Sequence, residues 1–316
     1  MNSDGPILVT GSSGLIGRAF IARMRPAGFQ SLRFDIRETA QSAFGDLRDN
    51  RALERAVADA AGIVHLGGVS RVVWGERDPE QCWAVNVDAT RKILALALNS
   101  RRRPWLVYAS SREVYGQQAV FPVSETAQLM PKNIYARSKV AAEELVLDAR
   151  KAGLTTAIAR FSSVYGDVDD HADRVVPAFA FAAAWGGAMR IDGADCAFDF
   201  THVADVAAGL KKICLALAAG EKSLPALHFV SGVRTSLREL AGLAADLAHC
   251  PVQVSLDAPR TFDISEFYGD PARTAAILGW RASTSLHVGL GELIRHFRTR
   301  GQLHSRPEAR HVAQGF

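Results

Sequence analysis

Cysteine is scarce in this chain: Cys82, Cys196, Cys214 and Cys250 are scattered through 316 residues with no CxxC pair. That excludes a disulfide scaffold, argues against a metal cage and leaves reduced, buried thiols as the expectation. Long apolar runs are missing as well. No stretch approaches the roughly 18 residues of a membrane helix, and the longest candidate, Val175 to Trp185, is interrupted by Pro177. The opening MNSDGPILVT has no basic segment followed by an apolar core, so neither secretion nor membrane insertion is expected and the expected compartment is the cytoplasm. The excess of positive charge is small, 37 Lys+Arg against 33 Asp+Glu, and it is not concentrated as a nucleic-acid binder would require. Arg101–Arg103 precede an apolar strand, and the looser series from Arg295 to Arg310 lies in a polar end that reads as frayed. Nucleic acid is therefore not expected as a partner. The nine histidines show neither H-x-x-x-H nor H-E-x-x-H spacing, so no metal site is expected.

What is present is ordinary globular material, 48% hydrophobic and 22% charged. Short β-rich runs alternate with helical patterns, the signature of βαβ units around a parallel sheet. Pro6–Thr10, Leu32–Asp35, Gly62–Leu66, Trp105–Ala109 and Thr156–Phe161 read as strands, and Leu15–Arg25, Glu80–Asn99 and 133–151 as helices. After Gly166 the loops lengthen, and Val203–Ala218 and Leu237–Ala248 are strongly helical. A strand near Leu227–Val230 is placed to return to the sheet. The expected division is a nucleotide-binding part over 1–166, joined by segments near 203–232, a smaller lobe over 167–300 and a flexible tail over 301–316. The run AFAFAAAW at 178–185 reads as the packing face of a lobe helix, and His65, within a strand, as a satisfied core histidine.

Thr10-Gly-Ser-Ser-Gly-Leu-Ile-Gly17 follows the first strand and opens the first helix. Gly11 permits a tight turn, Gly14 lets backbone approach a pyrophosphate, and Gly17 lets the helix pack closely. The helix start then offers unpaired N–H groups to phosphates. Asp35 ends the second strand, where a carboxylate accepts both ribose hydroxyls and repels a 2′-phosphate; NAD is therefore expected over NADP. Asp46-Leu47, after a short loop, is placed to reach the adenine edge.

Tyr135 and Lys139 stand at i and i+4 of a helix and share one face. A phenol titrates near ~10, and a neighbouring ammonium lowers it toward working pH, making Tyr135 a usable acid–base group. Lys139 can also hold a ribose hydroxyl. Ser111, following the fourth strand, can orient a substrate hydroxyl or carbonyl beside the phenol, at the end of the sheet where open α/β proteins bind ligands.

With these residues in place the sequence resembles the extended short-chain dehydrogenase/reductases, the NAD-dependent epimerase/dehydratase family, over nearly its whole length. TGSSGLIG is similar to the cofactor turn, carried by Gly11, Ser13, Gly14, Leu15, Ile16 and Gly17, and GDLRD to the adenine-contacting segment with Asp46 and Leu47. HLGGVS resembles the stretch lining the cofactor at Leu66, Gly67 and Gly68, and NVDAT places Asn86 as a structural and cofactor-side residue. SSREVYG carries Ser111, YARSK carries Tyr135 and Lys139, and Ala109 and Phe161 complete the cofactor wall. RFSSVYG, DFTHVADVA and DPARTAAILGW resemble later family stretches. The resemblance implies a Rossmann-type doubly wound parallel sheet with a smaller C-terminal substrate-binding lobe, a bound NAD and a nucleotide-sugar substrate.

It also implies a reaction. In family 4-epimerases the tyrosine takes the proton of the 4-hydroxyl while hydride leaves C4 for NAD, and the 4-keto sugar then receives hydride on its other face. Family dehydratases often carry Asp-Glu directly after the active-site Ser/Thr; here Arg112-Glu113 stand there, and an Arg cannot replace an acid as proton donor. Glu113 is retained as a catalytic candidate, or orients substrate or pairs with an Arg. Candidate substrate contacts are Ser70, Arg71, Ser111, Arg112, Ser163, Arg174, Phe198 and Arg260. Two of these depart from the family pattern: Ser163 stands in place of Asn, and Phe198 in place of a diphosphate-binding Arg, a position open to stacking on a base. Arg260 matches the second diphosphate arginine. Arg71 and Trp74, after the third strand, are placed to close on substrate or to pack a surface loop. The expected activity is epimerisation of a nucleotide sugar. The alternatives are a reductase or dehydrogenase of a keto sugar or sugar acid, and a 4,6-dehydratase variant. By resemblance a homodimer is expected, pairing helices 80–99 and 133–151, where Ile93, Leu96, Val140 and Leu147 serve core or interface equally.

Overall fold

The computed structural model describes residues 5–37, 43–222, 224–260 and 264–304. The early strands are β1 (Ile7–Thr10), β2 (Ser31–Asp35), β3 (Ala43–Phe44), β4 (Gly62–His65), β5 (Trp105–Ser111) and β6 (Thr156–Phe161). Further along come β7 (Ser163–Tyr165), β8 (Gly187–Asp192), β9 (Ala197–Phe198), β10 (Phe200–His202), β11 (Leu227–Phe229), β12 (Thr235–Ser236), β13 (Val252–Asp257) and β14 (Glu266–Phe267). Seven of them form one parallel sheet in the order β11-β6-β5-β4-β1-β2-β3. The near-continuous apolar character of β1, β4, β5 and β6 follows from this placement, because helices cover both faces.

On one face Phe20 and Met24 of helix Leu15–Met24 meet Leu210 and Ile213 of helix Val203–Ala218. On the other, Leu53, Ile93, Ala142 and Val146 come from helices Asn50–Ala58, Ala89–Asn99 and Ile134–Lys151. From β1 the chain winds outward to β2 and β3, then crosses back so that β4 lies on the other side of β1. That reversal opens a crevice at the carboxyl ends of β1 and β4, the usual ligand position of such sheets. A third core, around Phe179, Leu240 and Leu293, sits in the C-terminal lobe beneath helices Val175–Trp185, Leu237–Asp246 and Leu286–His304. Here Phe179 and the alanines of AFAFAAAW pack into the lobe core while Phe181 and Trp185 stay exposed, and β11 returns to pair with β6.

Three expectations change. Glu80–Asn99 is not one regular helix: Pro79–Trp83 leads into a π-helical turn over Ala84–Asp88 before Ala89–Asn99 resumes. From Arg295 to His304 the chain is not frayed but lies within helix Leu286–His304, because Leu290, Leu293 and Ile294 are buried at helical spacing. Each such side chain contributes about 1.5–3 kcal/mol when removed from water. Residues 301–304 of the expected tail continue this helix, and 305–316 lie outside the described residues. Of the cysteines, Cys82 and Cys214 are buried, whereas Cys196 and Cys250 are partly exposed; all four are free thiols. No helix among the described residues is long and apolar enough to cross a membrane.

Candidate active site

The turn after β1 is shaped by contacts that leave no room for side chains. Gly11 has φ of +66°, and a Cβ there would lie 2.7 Å from the Gly67 amide nitrogen. A Cβ on Gly17 would lie 2.3 Å from the Gly11 carbonyl oxygen, so the helix seats directly on the turn. Gly14 is the N-cap and offers no side-chain bond to the first helical N–H groups, which remain available to an anion. At the end of β2 the buried Asp35 accepts from the Ser13 amide at 2.8 Å and the Arg37 amide at 2.9 Å. A carboxylate has about four acceptor positions, so capacity is left for hydroxyl donors. Asp46 accepts from the Arg48 side chain at 3.0 and 2.6 Å, and that guanidinium holds its carboxyl below the usual range. A glycine cradle, an uncapped helix start and a terminal acid fit a pyrophosphate-bearing dinucleotide.

The crevice widens into a cleft of about 1570 Å³ between the sheet and the C-terminal lobe. That exceeds the roughly 300–1,000 Å³ of a single small-molecule pocket and gives room for a second ligand beside a dinucleotide. Every residue singled out from the sequence for the site lines this cleft except Ser13 and Asn86. Ser13 acts through its backbone on Asp35. Asn86, expected on the cofactor side, stands behind the wall: its Oδ1 accepts from the Val69 amide at 2.8 Å, and its Nδ2 donates to Ser138 Oγ at 2.9 Å. The π-helical turn that carries it thus braces the loop after β4 against helix Ile134–Lys151. His65 bridges Thr10 at 2.7 Å and Thr90 at 3.0 Å, and burial pushes it down to about 3, so it is a neutral core residue.

Helix Ile134–Lys151 begins at Asn133, whose Oδ1 accepts from the Ala136 amide at 2.8 Å. The cap fixes the first turn and with it Tyr135. Lys139, one turn on, donates from Nζ to the Ala109 carbonyl at 2.9 Å and lies 5.9 Å from the Tyr135 ring centre. Burial is the largest influence on both groups: it pushes the phenol up to about 12 and the lysine down to about 8. For Tyr135 this is opposite to the direction expected from a neighbouring ammonium alone, because desolvation outweighs it. The nearby Ser111 hydroxyl favours the phenolate, and the Glu113 carboxylate opposes it. This part of the cleft wall therefore brings together a phenol, a serine hydroxyl, a lysine and a carboxylate.

Glu113 is fixed on two sides, by Arg112 Nη2 at 3.0 Å from Oε1 and by Asn133 Nδ2 at 3.3 Å from Oε2. The Arg112 guanidinium lies 4.4 Å above the centre of the Phe198 ring, so one face of that ring is already covered. Arg71 pairs with Asp173 and lies 5.5 Å from the Trp74 ring centre, while Trp74 meets His171 edge-on at 4.7 Å. Trp74 sits within a short helix, Val72–Arg77. The partners on this side, Asp169, Asp170, His171 and Asp173, line the cleft and were missed from the sequence, as were Arg190 and Asp192. The density of charge from Asp167 to Arg174, directly after RFSSVYG, was the available signal. Arg18 reaches Asp167 at 3.0 Å, and Arg174 reaches Asp170 at 3.3 Å.

The sequence profile of the NAD dependent epimerase/dehydratase family matches residues 7–225. The chain is similar to UDP-glucose 4-epimerase of Rhizobium leguminosarum bv. trifolii, 25% identical over 87% of this chain and 91% of that one. It is also similar to GDP-6-deoxy-D-mannose reductase of Pseudomonas aeruginosa, 27% identical over 93% of this chain and 97% of that one. Among solved structures, MoeE5 in complex with UDP-glucose and NAD aligns with a TM-score of 0.85 and 26% identity, covering 95% of this chain and 100% of that one. The NDP-hexosamine 5,6-dehydratase TunA aligns with a TM-score of 0.83 and 25% identity, covering 94% and 98%. These relatives span epimerisation, reduction and dehydration; their names share the nucleotide-sugar class, and the two solved structures share the fold and NAD.

Proposed function

The chain belongs to the NAD-dependent epimerase/dehydratase family, and from that membership we propose that it is an epimerase of a nucleotide sugar, inverting C4 through a transient 4-keto sugar. One observation carries the reading: the Tyr135 phenol, with Ser111 and Lys139 on the same wall, lines a cleft with space for a second ligand. The glycine turn and Asp35 would hold NAD, with Lys139 on its ribose. When bound, NAD supplies a hydride acceptor that also serves as donor. Tyr135 takes the proton of the sugar hydroxyl and later returns it, while Ser111 holds that oxygen in line with the phenol. Ser70, Ser163, Arg174 and Arg260, on the cleft wall, would contact the nucleotide sugar. Elimination of water would need a further proton donor, and Glu113 is engaged by Arg112 and Asn133.

Phe198, standing where a diphosphate-binding arginine is expected, supports a second reading, a reductase or dehydrogenase of a keto sugar or sugar acid. Incubation with NAD and a panel of UDP-, dTDP-, GDP- and CDP-sugars separates the two. The expected result is a second epimer, resolved by NMR, with no net absorbance change from NADH. Stoichiometric NADH, or an unsaturated or deoxy product, would replace the epimerase reading.

We also infer a homodimer through helices Ala89–Asn99 and Ile134–Lys151. Ile93 is fully buried within the subunit, whereas Leu147 is 40% exposed and Leu96 and Val140 are partly exposed. Sedimentation should return twice the chain mass, and a monomer at micromolar concentration would remove the dimer from the proposal.

A further inference from the structure

Arg112 has no counterpart in the acid–base equipment a Tyr–Lys–Ser site requires, yet it is wedged into the middle of that equipment. Its side chain is largely buried: the guanidinium stacks on Phe198 at 4.4 Å, lies 5.9 Å from the Phe267 ring centre and forms an ion pair with Glu113 at 3.0 Å. The other oxygen of Glu113 accepts from Asn133, which caps the helix two residues before Tyr135. A continuous set of contacts therefore runs from Phe198 in the lobe through Arg112, Glu113 and Asn133 to the start of the Tyr135 helix.

We propose that Arg112 is a positioning residue for the reaction: clamped between Phe198 and Glu113, it holds the Glu113 carboxylate against the helix cap and neutralises it beside the Tyr135 phenol. This rests on Tyr135 being the acid–base group of the proposed function. Arg160 shows the contrast with a structural arginine. It is buried more deeply, and both terminal nitrogens are engaged, by Glu143, by the Tyr115 hydroxyl and by the Glu125 carbonyl. Arg112 keeps Nη1 buried with no hydrogen-bond partner among the described residues. A structural role alone would favour a fully satisfied guanidinium, and local conflicts of this kind concentrate at functional sites. The charges facing Tyr135 make the clamp's effect readable. Ser111 faces it from the end of β5, Glu113 from the short helical turn Arg112–Tyr115 that follows, Tyr108 from within β5, Arg174 from the start of helix Val175–Trp185, Cys82 from Pro79–Trp83, and Lys139 from its own helix. Glu76 accepts from the Ile134 amide at the same helix start. Glu113 is the carboxylate that opposes the phenolate, and Arg112 is its charged partner.

The test is the pH profile of kcat for the NAD-loaded enzyme. Arg112→Gln leaves Glu113 without its cation, and the limb governed by Tyr135 should move to higher pH by about one unit. Glu113→Gln should move it to lower pH, and the double variant R112Q/E113Q should fall between the two. Arg112→Lys, which keeps the charge, should return the limb toward that of the wild type. Limbs that stay fixed while kcat falls in every variant would overturn the clamp. So would a shift in Arg112→Gln that persists unchanged in the double variant. If Arg112→Gln does not fold, Glu113→Gln alone decides by the direction of its shift. Because the profile can be taken on net NADH formation as well as on epimerisation, loss of the epimerase reading and loss of the clamp are separate outcomes.

Discussion

Replacement of Tyr135 by phenylalanine should lower kcat by about 10³-fold, the middle of the range for a positioned acid–base group, while NAD binding survives. The ring is almost entirely buried and keeps its packing in the variant; only the hydroxyl is lost. Lys139 retains the Ala109 carbonyl as an independent anchor, so the wall against the dinucleotide stays in place. Steady-state epimer formation and calorimetric titration with NAD check the two halves of this expectation. A variant turning over within tenfold of the wild type would remove Tyr135 from the chemistry. A variant that loses NAD binding as well would make the hydroxyl part of the cofactor site.

The second large effect concerns stability. Arg160 and Glu143 form a buried ion pair at 2.9 and 2.5 Å, and the same guanidinium donates to the Tyr115 hydroxyl at 2.6 Å. Tyr115 in turn meets His228 Nε2 at 2.5 Å; burial pushes His228 down to about 3, so the imidazole is neutral. Glu143→Leu would strand the guanidinium away from water without its carboxylate. The expected loss is about 3–5 kcal/mol, a fall in Tm of roughly 10 °C measurable by calorimetry. Replacing both partners, with Arg160→Met added, should recover most of that loss, because the desolvation penalty leaves with the charges. Unchanged melting of Glu143→Leu would mean that the guanidinium finds water or another acceptor on its own.

The parts of the site legible in the sequence are those whose geometry is local. The spacing of Gly11, Gly14 and Gly17 encodes a turn, and the i, i+4 placement of Tyr135 and Lys139 fixes a shared helix face before any tertiary contact forms. The parallel strands were legible because burial on both faces leaves them continuously apolar. Contacts between distant segments were not. Arg112 and Phe198 are 86 residues apart, and nothing in either neighbourhood signals that a guanidinium will cover the ring. Helix Leu286–His304 was hidden because Leu290, Leu293 and Ile294 are embedded among polar and basic residues whose solvated face dominates the local composition. The widened turn at Ala84–Asp88 continues an apolar helical rhythm without a proline or glycine to mark the change; only the reach of Asn86 to Val69 and Ser138 gives it a purpose.

The return of β11 to the sheet beside β6 also ties the two parts of the molecule by a second crossing of the chain. A protein ended at Gly166 would keep every cofactor glycine, yet it would strip β6 of its neighbour and uncover Phe20 and Met24, which helix Val203–Ala218 shields. The bare strand would then invite pairing with another chain. The half that carries the dinucleotide is therefore not a detachable cassette: its solubility is supplied by sequence that lies beyond the substrate side, and grafting or shuffling the two halves must carry 203–229 along with the first.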